Sequence, residues 1–244
     1  MQARSGNRGK ASMSVVEAAR LTPDLVRFGK KIHSQNDEDG IIERIVSDLH
    51  ISTGYFVEFG VGPPWGHKLS ESGLEANCRR LQERGWQGLF MDAAEYAPEL
   101  GVVRETITPF NVNRIMRKHG VAEEFDVLSV DIDGQDFWVW MNLLARPRLV
   151  IVEYNSSLAL ERSCVIPPLS DFVWDGTDWF GASLGALDKL AESRFYKLVY
   201  ANGVNAFFVR SDLFSNHGDF SIERLYVSRI IHPRDPRNRE FLAI

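Results

Sequence analysis

An acid and two glycines stand close together in residues 54–62, Gly-Tyr-Phe-Val-Glu-Phe-Gly-Val-Gly. The apolar run 55–59 carries Glu58 and breaks into Gly60 and Gly62. Glycine has no side chain, so a strand that ends this way lets a ligand come close to the backbone. A helical stretch over 74–84 leads to a short apolar segment, 88–92, that ends in Asp92. Glycine turn, helix, strand and terminal acid are the frame of a nucleoside-binding βαβ unit, with Asp92 placed to hold a ribose diol. A simpler role for Asp92 is a strand-end cap for the next turn. Glu58 also has two roles open: reaching the polar tail of a cofactor through water, or bonding loop amides as a buried structural carboxylate.

Dinucleotide sites use G-x-G-x-x-G and open a helix at the glycines, so that its N-terminus holds a pyrophosphate. Here Gly62 runs into Pro63-Pro64-Trp65-Gly66, and two prolines remove two backbone donors where a phosphate would need them. No G-x-x-x-x-G-K-[ST] occurs, which excludes a P-loop. A cofactor with a nucleoside and no phosphate fits better, and S-adenosyl-L-methionine is the common one.

A second constellation comprises Asp131, Asp133, Glu153 and Asn155. Each pair is two residues apart at the end of a predicted strand, so each pair points to one side if the strand geometry persists. Oxygen ligands from two adjacent strand ends suit Mg²⁺, with Asp131, Glu153 and Asn155 as the metal set. The alternative is that Asp133-Gly134 forms a turn and no metal is held. His33 and His67 flank the cofactor regions, and His67 is the general-base candidate beside Asp131 and Asp133. Most histidines are neither base nor ligand.

These residues need elements to place them. Apolar periodicity predicts strands at 55–59, 88–92, 105–108, 127–131, 149–153, 196–200 and 206–209. Helices are expected at 74–84, 112–119, 137–144 and 183–193, preceded by N-terminal helices at 14–28 and 36–50. Asn36 or Asp37 would cap the second of these. Strands alternating with helices imply an α/β fold, a mostly parallel sheet with helices on both faces. Only five residues part the last two strands, too few for a crossover, so that pair is antiparallel and turns at Asn202-Gly203. Ligands in such sheets sit beyond the carboxyl ends of the strands.

Val57-Glu58-Phe59-Gly60-Val61-Gly62 resembles the first motif of Rossmann-like S-adenosylmethionine-dependent methyltransferases. Ser34–Gly40, Glu75-Ala76-Asn77, residues 83–88 and Asp131-Ile132-Asp133-Gly134 together resemble the FkbM-type branch, over about Ser34 to Arg210. The Pro-Pro-Trp-Gly loop departs from that family's plainer loop. The resemblance implies a Rossmann-like methyltransferase fold with a seven-stranded sheet and an antiparallel last strand. It implies S-adenosyl-L-methionine as cofactor, bound by Gln35, Glu58, Gly60, Gly62, Asp92 and Asp131. It also implies O-methylation of a small-molecule acceptor, a sugar or glycosylated metabolite. The carboxylate/carboxylate/amide set is similar to the Mg²⁺ site of catechol and macrolide-sugar O-methyltransferases, where the ion orients the acceptor hydroxyl. Two other functions compete: a non-catalytic methyltransferase-like module, and an NAD-dependent sugar oxidoreductase, for which no Y-x-x-x-K is present.

A chain of 244 residues suits one α/β domain, expected here at 51–210, after N-terminal helices at 14–50. Residues 156–182 are long for a connection and rich in aromatics, which points to an acceptor-site cap. Trp174, Asp178 and Trp179 are its substrate-binding candidates, with burial of the tryptophans against the sheet as the alternative. Residues 211–244 read as a C-terminal extension, a homodimer arm or a lid edge. The net charge of −5 argues against a nucleic-acid enzyme with a broad basic surface. No apolar run approaches the roughly 20 residues of a membrane span. Residues 1–13 carry basic residues without an apolar signal core and read as a disordered tail, with a short organelle presequence as the alternative. Cys78 and Cys164 form no C-x-x-C, which suits reduced thiols in the cytoplasm.

Overall fold

The alternation of apolar side chains along the strands builds two cores, one on each face of the sheet. The computed structural model describes residues 18–64, 66–230 and 232–244. The expected tail at 1–13, the start of the helix expected at 14–28, and Trp65 lie outside the described residues. Five parallel strands come first: β1 (Tyr55–Phe59), β2 (Gln87–Asp92), β3 (Val102–Arg104), β4 (Val127–Val130) and β5 (Leu149–Glu153). A two-residue strand, β6 (Cys164–Val165), belongs to a separate ribbon. The hairpin β7 (Tyr196–Ala201) and β8 (Asn205–Arg210) completes the sheet, whose order is β3-β2-β1-β4-β5-β8-β7. β8 runs antiparallel between β5 and β7. This is a Rossmann-like α/β sheet, parallel except for β8.

Val57 and Phe59 of β1 turn to the face covered by three helices: α4 (Val112–Lys118), α5 (Asp136–Asn142) and α6 (Leu184–Ser193). Phe56, between them on the other face, meets the helices α1 (Glu38–Asp48) and α3 (Arg79–Glu83) through Ile41, Ile45 and Leu81. The period of two along each strand and the apolar stripe of each helix therefore agree. Glu58 shares the Phe56 face, and its carboxylate has to be satisfied there.

Several boundaries differ from the sequence expectation. The stretch 18–28 holds only a 3₁₀ turn, Leu25–Phe28, because Pro23 interrupts it and Ala19 is drawn into a bridge with Phe214. Of the helix expected over 74–84 only α3 forms, after a separate short helix, α2 (Leu69–Ser72), since Glu75 pairs with Gly62 and the backbone at 76–78 turns toward Glu58. The third strand lies at Val102–Arg104, three residues before the expected 105–108. Asp37 does precede α1 but makes no side-chain cap, because its carboxylate bonds Tyr200 and Asn202. The short ribbon pairs β6 with β9 (Leu242–Ala243), so the 156–182 connection is partly built structure.

The end of β1 is joined to the end of β4 by the tightest backbone approach in the sheet region. Gly60 takes φ +76°, and a Cβ there would lie 1.4 Å from the carbonyl oxygen of Asp131. No side chain fits this position. Gly60→Ala should therefore destabilise the protein by at least about 3 kcal/mol, read as a lower thermal midpoint. An unchanged midpoint would show that the two strand ends part without cost.

Candidate functional site

The carboxyl ends of β1, β2, β4 and β5 open into a cavity of about 710 Å³. Six carboxylates line it: Glu58, Glu75, Asp92, Asp131, Asp133 and Glu153. Gln35, Gly60, Gly62 and Trp174 also reach its wall. No ion pair joins Glu58, Asp92, Asp131, Asp133 or Glu153 to a basic side chain among the described residues.

Glu58 is buried and accepts hydrogen bonds from the backbone N–H groups of Asn77 and Cys78, each at 2.7 Å. It holds the 76–78 turn against the strand end while still touching the cavity. Burial pushes its carboxyl up to about 7, against the downward pull of the two amides. Asp92 Oδ1 accepts from the N–H groups of Ala94 and Glu95 at 2.7 and 2.8 Å and so caps the next turn. Its Oδ2 has no partner among the described residues, so the capping role and a ligand contact are compatible.

Asp131 directly follows β4 and enters a turn in which Asp133 takes φ +59° and Gly134 φ +142°. The turn is held by Asp136, whose two carboxylate oxygens accept from the N–H groups of Ile132 and Gly134, both at 2.8 Å. Asp136 is not among the expected site residues, although an acid at the first residue of a helix is a recognisable signal. Burial pushes Asp136 up to about 7. Asp131 is raised well above the usual carboxylate range by loss of water and then by repulsion from Asp136 and Asp133. Glu153 is raised by burial and then by Asp131, and its buried Oε2 has no hydrogen-bond partner. Asp133 is raised by burial and by Asp92.

Three expected site residues stand outside the cavity wall, and a fourth, Asn155, borders it with its amide already engaged. His67 stands on an exposed loop outside the cavity wall, because its N–H closes a turn back to Pro64 O at 2.9 Å. Trp179 is 7% exposed and packs under the cap: its Nε1 donates to Glu240 O at 3.1 Å and the Arg239 guanidinium lies 4.0 Å over its ring. Asp178 faces the C-terminal segment, accepting from Asp235 N at 2.7 Å. Asn155 borders the cavity, but its Nδ2 donates to the carbonyls of Asp178 and Phe180 and its Oδ1 accepts from Ser157 Oγ. Its amide is thus committed to the cap loop. No group of three or more His, Cys, Asp or Glu side chains among the described residues is gathered closely enough for a metal ion. Of the expected Mg²⁺ set, the buried Glu153 Oε2 has no hydrogen-bond partner, while Asn155 Oδ1 is already engaged by Ser157; Mg²⁺ takes oxygen ligands in near-octahedral geometry.

The cap is closed by residues that carry no sequence motif. Asp175 pairs with Arg237 and with Arg239, the latter at 2.7 Å. His232 sets its ring edge-on to Trp174 at 4.6 Å and lines the cavity with it. The C-terminal segment therefore packs against the 156–182 connection. Cys78 and Cys164 are both buried and form no disulfide. Among the described residues no helix is long and apolar enough to cross a membrane.

No family model matches the chain, and no curated protein matches it. Among solved structures it is similar to MycE, a methyltransferase from the mycinamycin biosynthetic pathway. In the MycE complex with Mg, SAH and mycinamycin VI the identity is 17%, over 72% of this chain and 50% of that one, with a TM-score of 0.45. In a MycE complex with Mg and SAH it is again 17%, over 81% and 57%, with a TM-score of 0.47. The chain spans about half the length of these proteins.

The raised carboxyls set a pH dependence. In the folded chain Glu58 and Asp136 keep their protons up to about 7, whereas the unfolded chain releases them near 4 to 4.5. Their contribution is fully present below the unfolded value and is lost as pH rises through the folded one. The thermal midpoint of the ligand-free protein should therefore fall between about pH 5 and about pH 8. Asp131→Asn should flatten that fall, and a midpoint that rises over this range would contradict the assignment.

Proposed function

We propose that this chain is a methyltransferase that moves a methyl group from S-adenosyl-L-methionine to a hydroxyl of a small polar acceptor, a sugar or glycosylated metabolite. The observation that carries this is the meeting of Gly60, Gly62 and Asp92 with Asp131 in one cavity at the strand ends. When bound, the cofactor supplies an electrophilic methyl on a sulfonium. The residues present fit it. A Cβ on Gly62 would meet nothing closer than Glu95 Cγ at 3.9 Å, so the wall is open there. Asp92 Oδ2 is available to a ribose hydroxyl, and Gln35 stands across the same cavity.

Methyl transfer is a displacement at carbon, so the chain's work is positioning and proton removal. Asp131 is the residue assigned to take the acceptor's hydroxyl proton. Its raised proton affinity makes it a stronger base than a solvated carboxylate, and a positive charge in the cavity favours its ionised form. Asp133 and Glu153 strengthen the negative field around it. The Asp136 bonds to Ile132 and Gly134 hold the turn that aims it. Trp174 offers an aromatic face on the acceptor side. Two buried, unpaired thiols fit a reducing, cytoplasmic setting.

Calorimetric titration should show S-adenosylhomocysteine binding with a micromolar dissociation constant and no binding of NAD. Asp92→Ala should weaken that binding about tenfold or more, through loss of the ribose contact. Binding of NAD, or of neither ligand, would overturn the proposal.

A further inference from the structure

A second cavity, of about 520 Å³, meets the first at Arg229, which lines both. Its wall includes two arginines, Arg224 and Arg229, and two acids, Asp24 and Asp37. The acids are already engaged. Asp24 pairs with Arg27 at 2.6 Å. Asp37 accepts from Asn202 Nδ2 at 2.8 Å and from the Tyr200 hydroxyl at 2.5 Å. The arginines are not. Arg224 gives one long bond, 3.3 Å, to Asp219 O. The Arg229 guanidinium makes no hydrogen bond and no ion pair among the described residues.

Arg229 is nonetheless held in place. Its N–H donates to Ser156 O at 3.1 Å, while Ser156 Oγ donates to Gly203 O at 2.6 Å and to Arg229 O at 3.3 Å. Its side-chain stem lies on the Gly203 backbone, where φ is +91° and a Cβ would come within 2.7 Å of Arg229 Cδ and Nε. The hairpin turn thus forms a groove for this one side chain. Two guanidiniums with open donors face one cavity, next to another lined by six carboxylates. An anionic group is repelled from the carboxylate-lined cavity and attracted to the arginine-lined one. Guanidinium forks suit planar or tetrahedral oxyanions, to which they donate paired hydrogen bonds.

We propose that the smaller cavity is an oxyanion subsite for the acceptor. Arg224 and Arg229 hold a carboxylate or phosphate substituent there, while the hydroxyl to be methylated lies in the larger cavity near Asp131. This rests on the methyl-transfer assignment of the larger cavity and narrows its acceptor to an acidic or phosphorylated sugar.

The test uses the full chain saturated with S-adenosylhomocysteine. Glucuronate, glucose 6-phosphate and methyl glucoside are titrated in a calorimeter into wild type, Arg224→Gln, Arg229→Gln and Arg229→Lys. At least one anionic sugar should bind about tenfold or more tightly than methyl glucoside. Arg229→Gln should abolish that preference, Arg224→Gln should reduce it, and Arg229→Lys should retain part of it. The stronger of the two anions identifies the substituent as carboxylate or phosphate. S-adenosylhomocysteine affinity, measured first on each protein, should stay within about twofold of wild type and confirms folding. Equal affinity for the neutral and anionic sugars, an anion preference that survives both glutamine variants, or no binding by any sugar at about 20 mM would overturn the subsite. Failure of S-adenosylhomocysteine to bind would sink the methyl-transfer assignment separately.

Discussion

Burying a carboxylate costs free energy unless amides or cations replace its water, and this chain gathers Glu58, Asp131, Asp136 and Glu153 at one end of its sheet. Backbone amides answer part of that cost. Glu58 is solvated by the 76–78 turn, and Asp136 by the turn after β4. Asp131 and Glu153 receive no such bonds and are held near one another by strands that cannot part. Their proton affinities rise as a result. The irregular backbone around β1 and β4 follows from these requirements, since each turn is shaped to present N–H groups to an acid.

The same economy governs the N-terminal segment. Asp39 Oδ2 accepts from the N–H groups of Ile32, His33 and Ser34 and from Ser34 Oγ. Glu38 accepts from Asn36, Asn202 and Asn205. These bonds tie the loop that carries Gln35 to the β7–β8 hairpin, so a cavity wall built from distant segments behaves as one body. The acidic stretch before α1 therefore works mainly as a scaffold that places its neighbours. At the opposite wall the C-terminal segment grips the cap through Asp235, Glu240 and Arg239 and brings His232 and Arg229 to the cavities.

Much of the central architecture was legible from periodicity. Every strand of the large sheet except the third was placed within a residue or two, because buried strands leave a clear apolar signal at Val57, Leu128 or Ile151. The third strand is three residues long at the sheet edge, and its register comes from pairing with Phe90, Met91 and Asp92. Its own residues carry little signal. The late start of the helix expected over 74–84 is hidden for a related reason: the demand of Glu58 for amides overrides helix propensity at Asn77 and Cys78.

The sequence by itself determined the alternation of strands and helices, the antiparallel final hairpin, and the acids and glycines at the strand ends. These are local properties, written in side-chain period and in glycine positions. Tertiary structure alone decided which polar groups remained available. Asn155, Asp178 and Trp179 look as suitable for a ligand as Asp92 does, yet each is consumed by contacts to segments between two and 61 residues away. Arg229 carries no motif, and only the groove at Gly203 gives it a place at two cavities. The physical reason is that a hydrogen-bonding group serves a ligand only if the folded chain has not already satisfied it, and that accounting closes through long-range contacts.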